Sequence, residues 1–125
     1  MQILVVDDET DVRDLFRQRF RREIRSGALS FSFAFSGEEA LAFLRARPSE
    51  VPLILSDINM PGMSGLELLG HVQQAGHMPP TTMMMMTAYG DAQSRQQVLQ
   101  LGATDFFTKP LDFAVLRQKL EQLPT

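Results

Sequence analysis

Leu53-Ile54-Leu55-Ser56-Asp57-Ile58-Asn59-Met60-Pro61-Gly62-Met63-Ser64-Gly65-Leu66-Glu67 carries a strand, an acid at its end, and the start of a helix. Its first three residues are apolar whichever way they point. The strand they predict is therefore covered on both faces, as a central strand between helical layers is. Ser64 and Glu67 stand at capping-box spacing, the hydroxyl serving orphan amides and the carboxylate reaching back. The helix that opens there carries Leu66, Leu69 and Val72 on one stripe.

The same alternation repeats on either side. Ile3-Leu4-Val5-Val6 is a first strand, and the helix after it spaces Val12, Leu15, Phe16, Phe20 and Ile24 along one face before a stop near Gly27. Ser30 to Ser36 alternates, with Phe31, Phe33 and Phe35 on one side and Ser30, Ser32, Ala34 and Ser36 on the other. This predicts an edge strand with one exposed face. Ser36-Gly37-Glu38-Glu39 is a second capping box, with Ala40, Leu41 and Leu44 buried behind it and Pro48 as the stop.

Further on, Pro79-Pro80 breaks the chain before Thr82-Met83-Met84-Met85-Met86-Thr87. This run is a buried strand by position, although Met is not a strong strand former. A fourth helix from about Asp91 has a thin stripe of Ala92, Val98, Leu99 and Leu101, so it should be the most loosely held; Gly102 ends it. Asp105-Phe106-Phe107-Thr108 is the last strand, and a fifth helix after Asp112 buries Phe113, Leu116, Leu120 and Leu123. Five strands alternating with five helices form an α/β fold with a parallel sheet. The architecture expected is a flavodoxin-like doubly wound (βα)5 sandwich of strand order 2-1-3-4-5.

At 125 residues the chain fits one domain, spanning residues 1–125, since domains most often run to roughly 100–150 residues. A hydrophobic share of 44% and a charged share of 22% argue against disorder. The net charge of -3 argues against direct binding to nucleic acid or anionic lipid, and the arginines between Arg13 and Arg25 read as the solvated face of a helix. The chain contains no cysteine, the apolar run at its N-terminus is too short for a signal peptide, and no stretch approaches a membrane span. A cytoplasmic location is expected.

Four of the strand runs end on polar residues: Asp7 and Asp8, Asp57, Thr87, and Lys109. A parallel sheet brings those ends to one edge, and ligands of such sheets bind there, where the strand order reverses between the first and third strands. Three carboxylates would face one another at that point, where mutual repulsion raises at least one pKa unless a cation offsets it. Mg²⁺ takes oxygen ligands from one or two carboxylates plus waters and phosphate oxygens, and suits the cluster; Mn²⁺ would also serve. A carboxylate can be the nucleophile toward phosphorus, with Lys109 and the metal supplying charge and Thr87 donating its hydroxyl to a phosphoryl oxygen.

Val6-Asp7-Asp8-Glu9, the Ser56 to Gly65 segment, Met86-Thr87-Ala88-Tyr89 and Thr108-Lys109-Pro110 together resemble the four signature segments of two-component response-regulator receiver domains, in order along the whole chain. The resemblance implies a phosphorylation-dependent switch and not an enzyme with a diffusing substrate. It makes Asp57 the phosphoacceptor, with Asp8, Asp57 and the backbone carbonyl of Asn59 as Mg²⁺ ligands and Asp7 a ligand through water. Thr87 and Lys109 would bind the phosphoryl oxygens, Lys109-Pro110 would be a cis peptide, and Thr87 with Phe106 would form the switch. Many relatives carry Tyr at the position of Phe106, so a step needing that hydroxyl is not available here. Tyr89 would lie at the rim of the pocket, where its ring would hinder attacking water. The implied partners are a sensor histidine kinase or phosphotransfer protein, and a downstream protein or output domain. The output would be reached through the face of the fourth helix, last strand and fifth helix, with homodimerisation on phosphorylation.

Taken singly, an Asp after a strand is ordinarily a cap or turn residue, and the four Met are adaptable core filling. A phosphohydrolase of the haloacid-dehalogenase type would need a second acid where this chain has Asn59, and a flavin-binding carrier would need a phosphate-holding loop where Asp7-Asp8-Glu9 would repel one.

Overall fold

Each strand is followed by helix, so every crossover returns the next strand in the same direction and all pairings are parallel. The computed structural model describes residues 1–47, 51–76, 81–88 and 92–123, the side chain of Ala92 excepted. Its strands are β1 (Gln2–Val6), β2 (Ser30–Ala34), β3 (Leu53–Asp57), β4 (Thr82–Thr87) and β5 (Asp105–Thr108), in the order β2-β1-β3-β4-β5. Its helices are α1 (Val12–Arg19), α2 (Arg21–Ser26), α3 (Gly37–Ala46), α4 (Gly65–Gln74), α5 (Ala92–Gln100) and α6 (Phe113–Glu121). This is the doubly wound α/β sandwich expected from the sequence. The expected features at Pro48, Pro79-Pro80, Tyr89 and Asp91 lie outside the described residues.

The period of two along the strands divides the core. Leu4, Val6, Ile54, Met83, Met85 and Phe106 point to the side covered by α3, α4 and α5, where Leu41, Leu44, Leu68, Leu69, Val72 and Val98 meet them. Ile3, Val5, Leu53, Leu55, Met84 and Met86 point the other way, to Phe16 and Phe20 before β2 and to Leu116 and Leu120 of α6. The four Met of β4 therefore split two and two between the layers. A flexible, polarizable side chain fits either cavity, and this lets position override the weak strand preference of Met.

Four local expectations are corrected by packing. The first helix does not run unbroken: Phe20, at φ −109° and ψ 25°, separates α1 from α2. Its ring is pinned among Phe16 (6.0 Å), Phe31 (5.2 Å) and Phe113 (5.9 Å), with the Arg117 guanidinium over it at 5.0 Å. Once that ring is seated the chain has no further apolar pocket to follow. Consequently α2 buries no residue and Ile24 is 36% exposed; Leu15, earlier in α1, is 40% exposed, so neither joins the stripe expected of it. In α4 Leu68 is buried beside Leu69 and Val72 of the expected stripe, whereas Leu66 is only partly covered. The Ser face of β2 is not open along its length, because Ala34 is buried beneath α3. Of the two capping boxes only Ser64–Glu67 closes in both directions, whereas Ser36 accepts from the Glu39 amide alone.

If Phe20 is the last anchored residue of the first helical segment, Phe20→Ala should cost about 3–5 kcal/mol in urea unfolding. Ile24→Ser should stay within about 0.5 kcal/mol. Equal costs would mean that the chain beyond Phe20 is packed like the chain before it.

Candidate functional site

The β1–β3 register sets Val6 beside Ser56, so one step further Asp7 lies beside Asp57 at the carboxyl edge of the sheet. Asp7 is 1% exposed and its amide continues the pairing with β2 by donating to the Ala34 carbonyl at 3.1 Å. Asp57 is 6% exposed. Asp8, on the turn, is exposed. Carboxylate oxygens of all three lie within 4.8 Å of one another, the one such acidic cluster among the described residues.

The cation that meets them comes from the far side of the sheet. Lys109 follows β5, and its amide donates to the Thr87 carbonyl at 2.8 Å. Its Nζ reaches back to Asp7 Oδ2 at 2.8 Å and Asp57 Oδ2 at 3.2 Å. The Lys109–Pro110 peptide is cis. Burial pushes the Asp57 carboxyl above its ordinary value and the neighbouring Asp7 charge adds to this; Lys109 and the Asn59 amide pull it back only in part. For Lys109, burial works against the charge but is outweighed by the bond to Asp7 and the fields of Asp7 and Asp57, so its pKa is raised.

Three carboxylates against one ammonium leave the cluster with excess negative charge. Asp8 has no hydrogen-bond or ion-pair partner of its own among the described residues. A donor set made only of oxygen, short of one cation, fits a hard divalent ion such as Mg²⁺ and does not fit a thiophilic metal.

The loop after Asp57 is fixed at several points. The Ile58 amide donates to the Met86 carbonyl (3.0 Å), the Gly65 amide to the Ile58 carbonyl (2.8 Å), and the Met63 amide to Glu38 Oε1 (3.0 Å). Gly62 has φ +74°, which glycine adopts without strain. At Gly65 a Cβ would overlap the Asp57 carbonyl oxygen and stand 2.9 Å from Ile58 Cα, so the helix can approach the loop this closely only without a side chain. The Asn59 amide faces Asp57 Oδ1 at 3.4 Å, while its carboxamide Nδ2 donates to Thr87 Oγ1 at 2.8 Å.

The structure thus brings Asp7, Asp8, Asp57 and Lys109 together and joins Thr87 to Asn59. Phe106 faces the α3–α4–α5 side and is already buried, paired in register with Met85, two positions before Thr87 is reached on β4. The rim residue Tyr89 lies outside the described residues. Sequence reasoning missed the Asn59 side-chain bond and the Gly65 contact. The one available signal for the latter was a Gly in the first turn of a helix, where Pro or a good helix former is the usual choice.

A family model described as the response regulator receiver domain matches residues 3–121. An uncharacterized 14.6 kDa protein of Leptolyngbya boryana is 38% identical over 98% of this chain and 88% of its own length. Response regulator protein PilR of Pseudomonas aeruginosa is also 38% identical, over 92% of this chain but only 24% of its own length. Among solved structures, the response regulator protein TrrA of Thermotoga maritima, in complex with Mg²⁺-BeF, is similar at a TM-score of 0.77 and 30% identity, covering 98% of both chains. Chemotaxis protein CheY4 of Vibrio cholerae is similar at a TM-score of 0.82 and 26% identity, again over 98% of both.

The raised Asp57 pKa has a consequence for stability. In the window above the ordinary value of 3.8 the folded protein holds a proton that the unfolded chain has lost, so stability falls as the pH rises through it. With chelator present, Asp57→Asn should therefore melt above the wild type at about pH 7, and the two melting temperatures should converge as the pH drops toward 3.8. A lower melting temperature for Asp57→Asn at neutral pH would show that the ion pair with Lys109 outweighs burial and repulsion.

Proposed function

Because the chain belongs to the response regulator receiver domain family, we propose that it accepts a phosphoryl group on Asp57 and signals through the rearrangement that follows. The observation that carries this assignment is a buried carboxylate at the end of a central strand, set among other acids and touched by one ammonium group. Receiver domains are phosphorylation-dependent switches and partner with histidine kinases. The immediate donor here would be such a kinase or a phosphotransfer protein.

A carboxylate oxygen of Asp57 attacks phosphorus, the new O–P bond forms, and the bond to the donor breaks with its electron pair leaving on the donor. Asp8, Asp57 and the Asn59 carbonyl would hold Mg²⁺, or Mn²⁺, with Asp7 contributing through water. When bound, the ion neutralises charge on the phosphoryl oxygens. Asp7 keeps its grip on Lys109 while the ammonium exchanges the Asp57 carboxylate for a phosphoryl oxygen. The Thr87 hydroxyl donates to another phosphoryl oxygen.

Movement of Thr87 would alter the packing above Phe106. That ring is buried already, so the switch is a repacking inside the α3–α4–α5 layer and not a transfer from solvent. In α5 the buried anchor among the described side chains is Val98, so few contacts oppose a shift of the α5–β5–α6 face toward a downstream protein, an output domain or a second copy. Among the described residues no helix is long and apolar enough to cross a membrane.

Acetyl phosphate with Mg²⁺ should label the wild type, chelator should prevent labelling, and Asp57→Asn should abolish it. Asp8→Ala should weaken metal binding and slow uptake, and Lys109→Met should slow it about 100-fold. Labelling of Asp57→Asn at the wild-type rate would remove Asp57 from this role. Amide shifts on adding beryllofluoride should extend through α5, β5 and α6; shifts confined to the neighbours of Asp57 would sink the switch.

A further inference from the structure

The loop between Asp57 and α4 closes on itself, because the Gly65 amide donates to the Ile58 carbonyl at 2.8 Å. Inside that closure lies Asn59, whose carbonyl is proposed above as a metal ligand. Among the described residues, one backbone hydrogen bond reaches from residues 59–64 to a part of the chain outside β3, α4 and the loop itself. It runs to α3: the Met63 amide donates to Glu38 Oε1 at 3.0 Å.

The same helix turn receives the Met63 side chain. A Cβ at Gly37 would stand 2.8 Å from Met63 Cβ and Sδ, so the helix lies against that side chain only because position 37 carries none. Gly62, at φ +74°, carries the chain past the same carboxylate, and a Cβ there would stand 3.4 Å from Glu38 Oε1. Met63 is thus clipped by backbone and side chain to two adjacent residues of α3. Glu38 stands in the first turn of that helix, where the helix end favours negative charge, and a hydrogen bond to a charged acceptor is stronger than one between neutral groups.

We infer that Glu38 is a positioning residue for the metal: its carboxylate holds the Met63 amide and so fixes the loop that presents the Asn59 carbonyl to the ion. The inference rests on the Mg²⁺ reading proposed above and adds to it a residue that is not one of the ligands. Groups that hold a metal's ligands in place are typically worth about 10–100-fold in affinity. The Ile58–Gly65 closure and the buried Met60 side chain also restrain this loop, so the lower end, about tenfold, is expected here.

Mg²⁺ titrations of the whole chain, followed through backbone amide resonances, test the inference with three variants. Glu38→Ala removes the acceptor, and Glu38→Gln keeps one at the same reach. Glu39→Ala removes the neighbouring charge from the same turn, a carboxylate with no hydrogen-bond or ion-pair partner among the described residues. Glu38→Ala should raise the Mg²⁺ dissociation constant about tenfold and shift the metal-free Met63 amide upfield. Glu38→Gln should restore that resonance and bring the constant to within about threefold of wild type, and Glu39→Ala should stay within about twofold. Equal weakening in Glu38→Ala and Glu39→Ala would overturn the inference, since charge alone would then account for both. So would a Glu38→Gln protein as weak as Glu38→Ala. A wild type that binds no Mg²⁺ at millimolar concentration would remove the metal reading and the inference with it, whereas a wild type that binds the ion no more tightly than Glu38→Ala removes the role of Glu38 alone.

Discussion

One ammonium group shared by two buried carboxylates holds the carboxyl edge of this protein together. Lys109 leaves the chain beyond β5, at one end of the sheet order, and reaches past β4 and β3 to meet Asp7 after β1. Its stem and charge span residues 102 apart in sequence. Without it, buried acids at hydrogen-bonding distance from a common point would stand with no protein cation between them, a far costlier arrangement than the one observed. Even with it the balance stays negative. A phosphoryl group, itself an anion, could not approach such a cluster alone, and the demand for a divalent ion follows from charge.

The sheet is what makes that arrangement cheap to build. All five strands run one way, so chemistry distributed from Asp7 to Lys109 arrives at the same edge by topology and needs no long loop to carry it. The helices complete the job unequally. The helices α3 and α4 bury residues turn after turn, while α5 is secured mainly toward its C-terminal end: Val98 sits in the core, and Gln73 donates to the Leu101 carbonyl at 2.7 Å just before Gly102 turns the chain. An element tied at its C-terminal end and lightly packed elsewhere swings more readily than it slides.

The strands and the acids, hydroxyl and ammonium at their ends were legible because each depends on local pattern: period-two apolar runs, a polar residue where the run stops, and the rule that parallel strands share an edge; the strand order came with the flavodoxin-like architecture. Leu66 against Leu68 was not legible, since a helical stripe fixes a face but not which of its margins turns inward. Nor was the break at Phe20, where a regular apolar spacing continues to Ile24 although the core does not. The pull of Phe31 and Phe113 on that ring comes from the edge strand and the last helix, and no window of sequence contains all three. The Asn59–Thr87 bond failed for the same reason, being made between the loop after β3 and the end of β4, which only the folded sheet brings together.

Gly65 shows a different kind of blindness. Its role is to be empty: the first turn of α4 lies against the Asp57 carbonyl because nothing projects from that Cα. Surveys that cut side chains back to find the groups that matter pass over such a position, since it has nothing to remove. The loop carrying Asp57 is shaped as much by a missing methyl group as by any hydrogen bond, and only a substitution that adds atoms can reveal it.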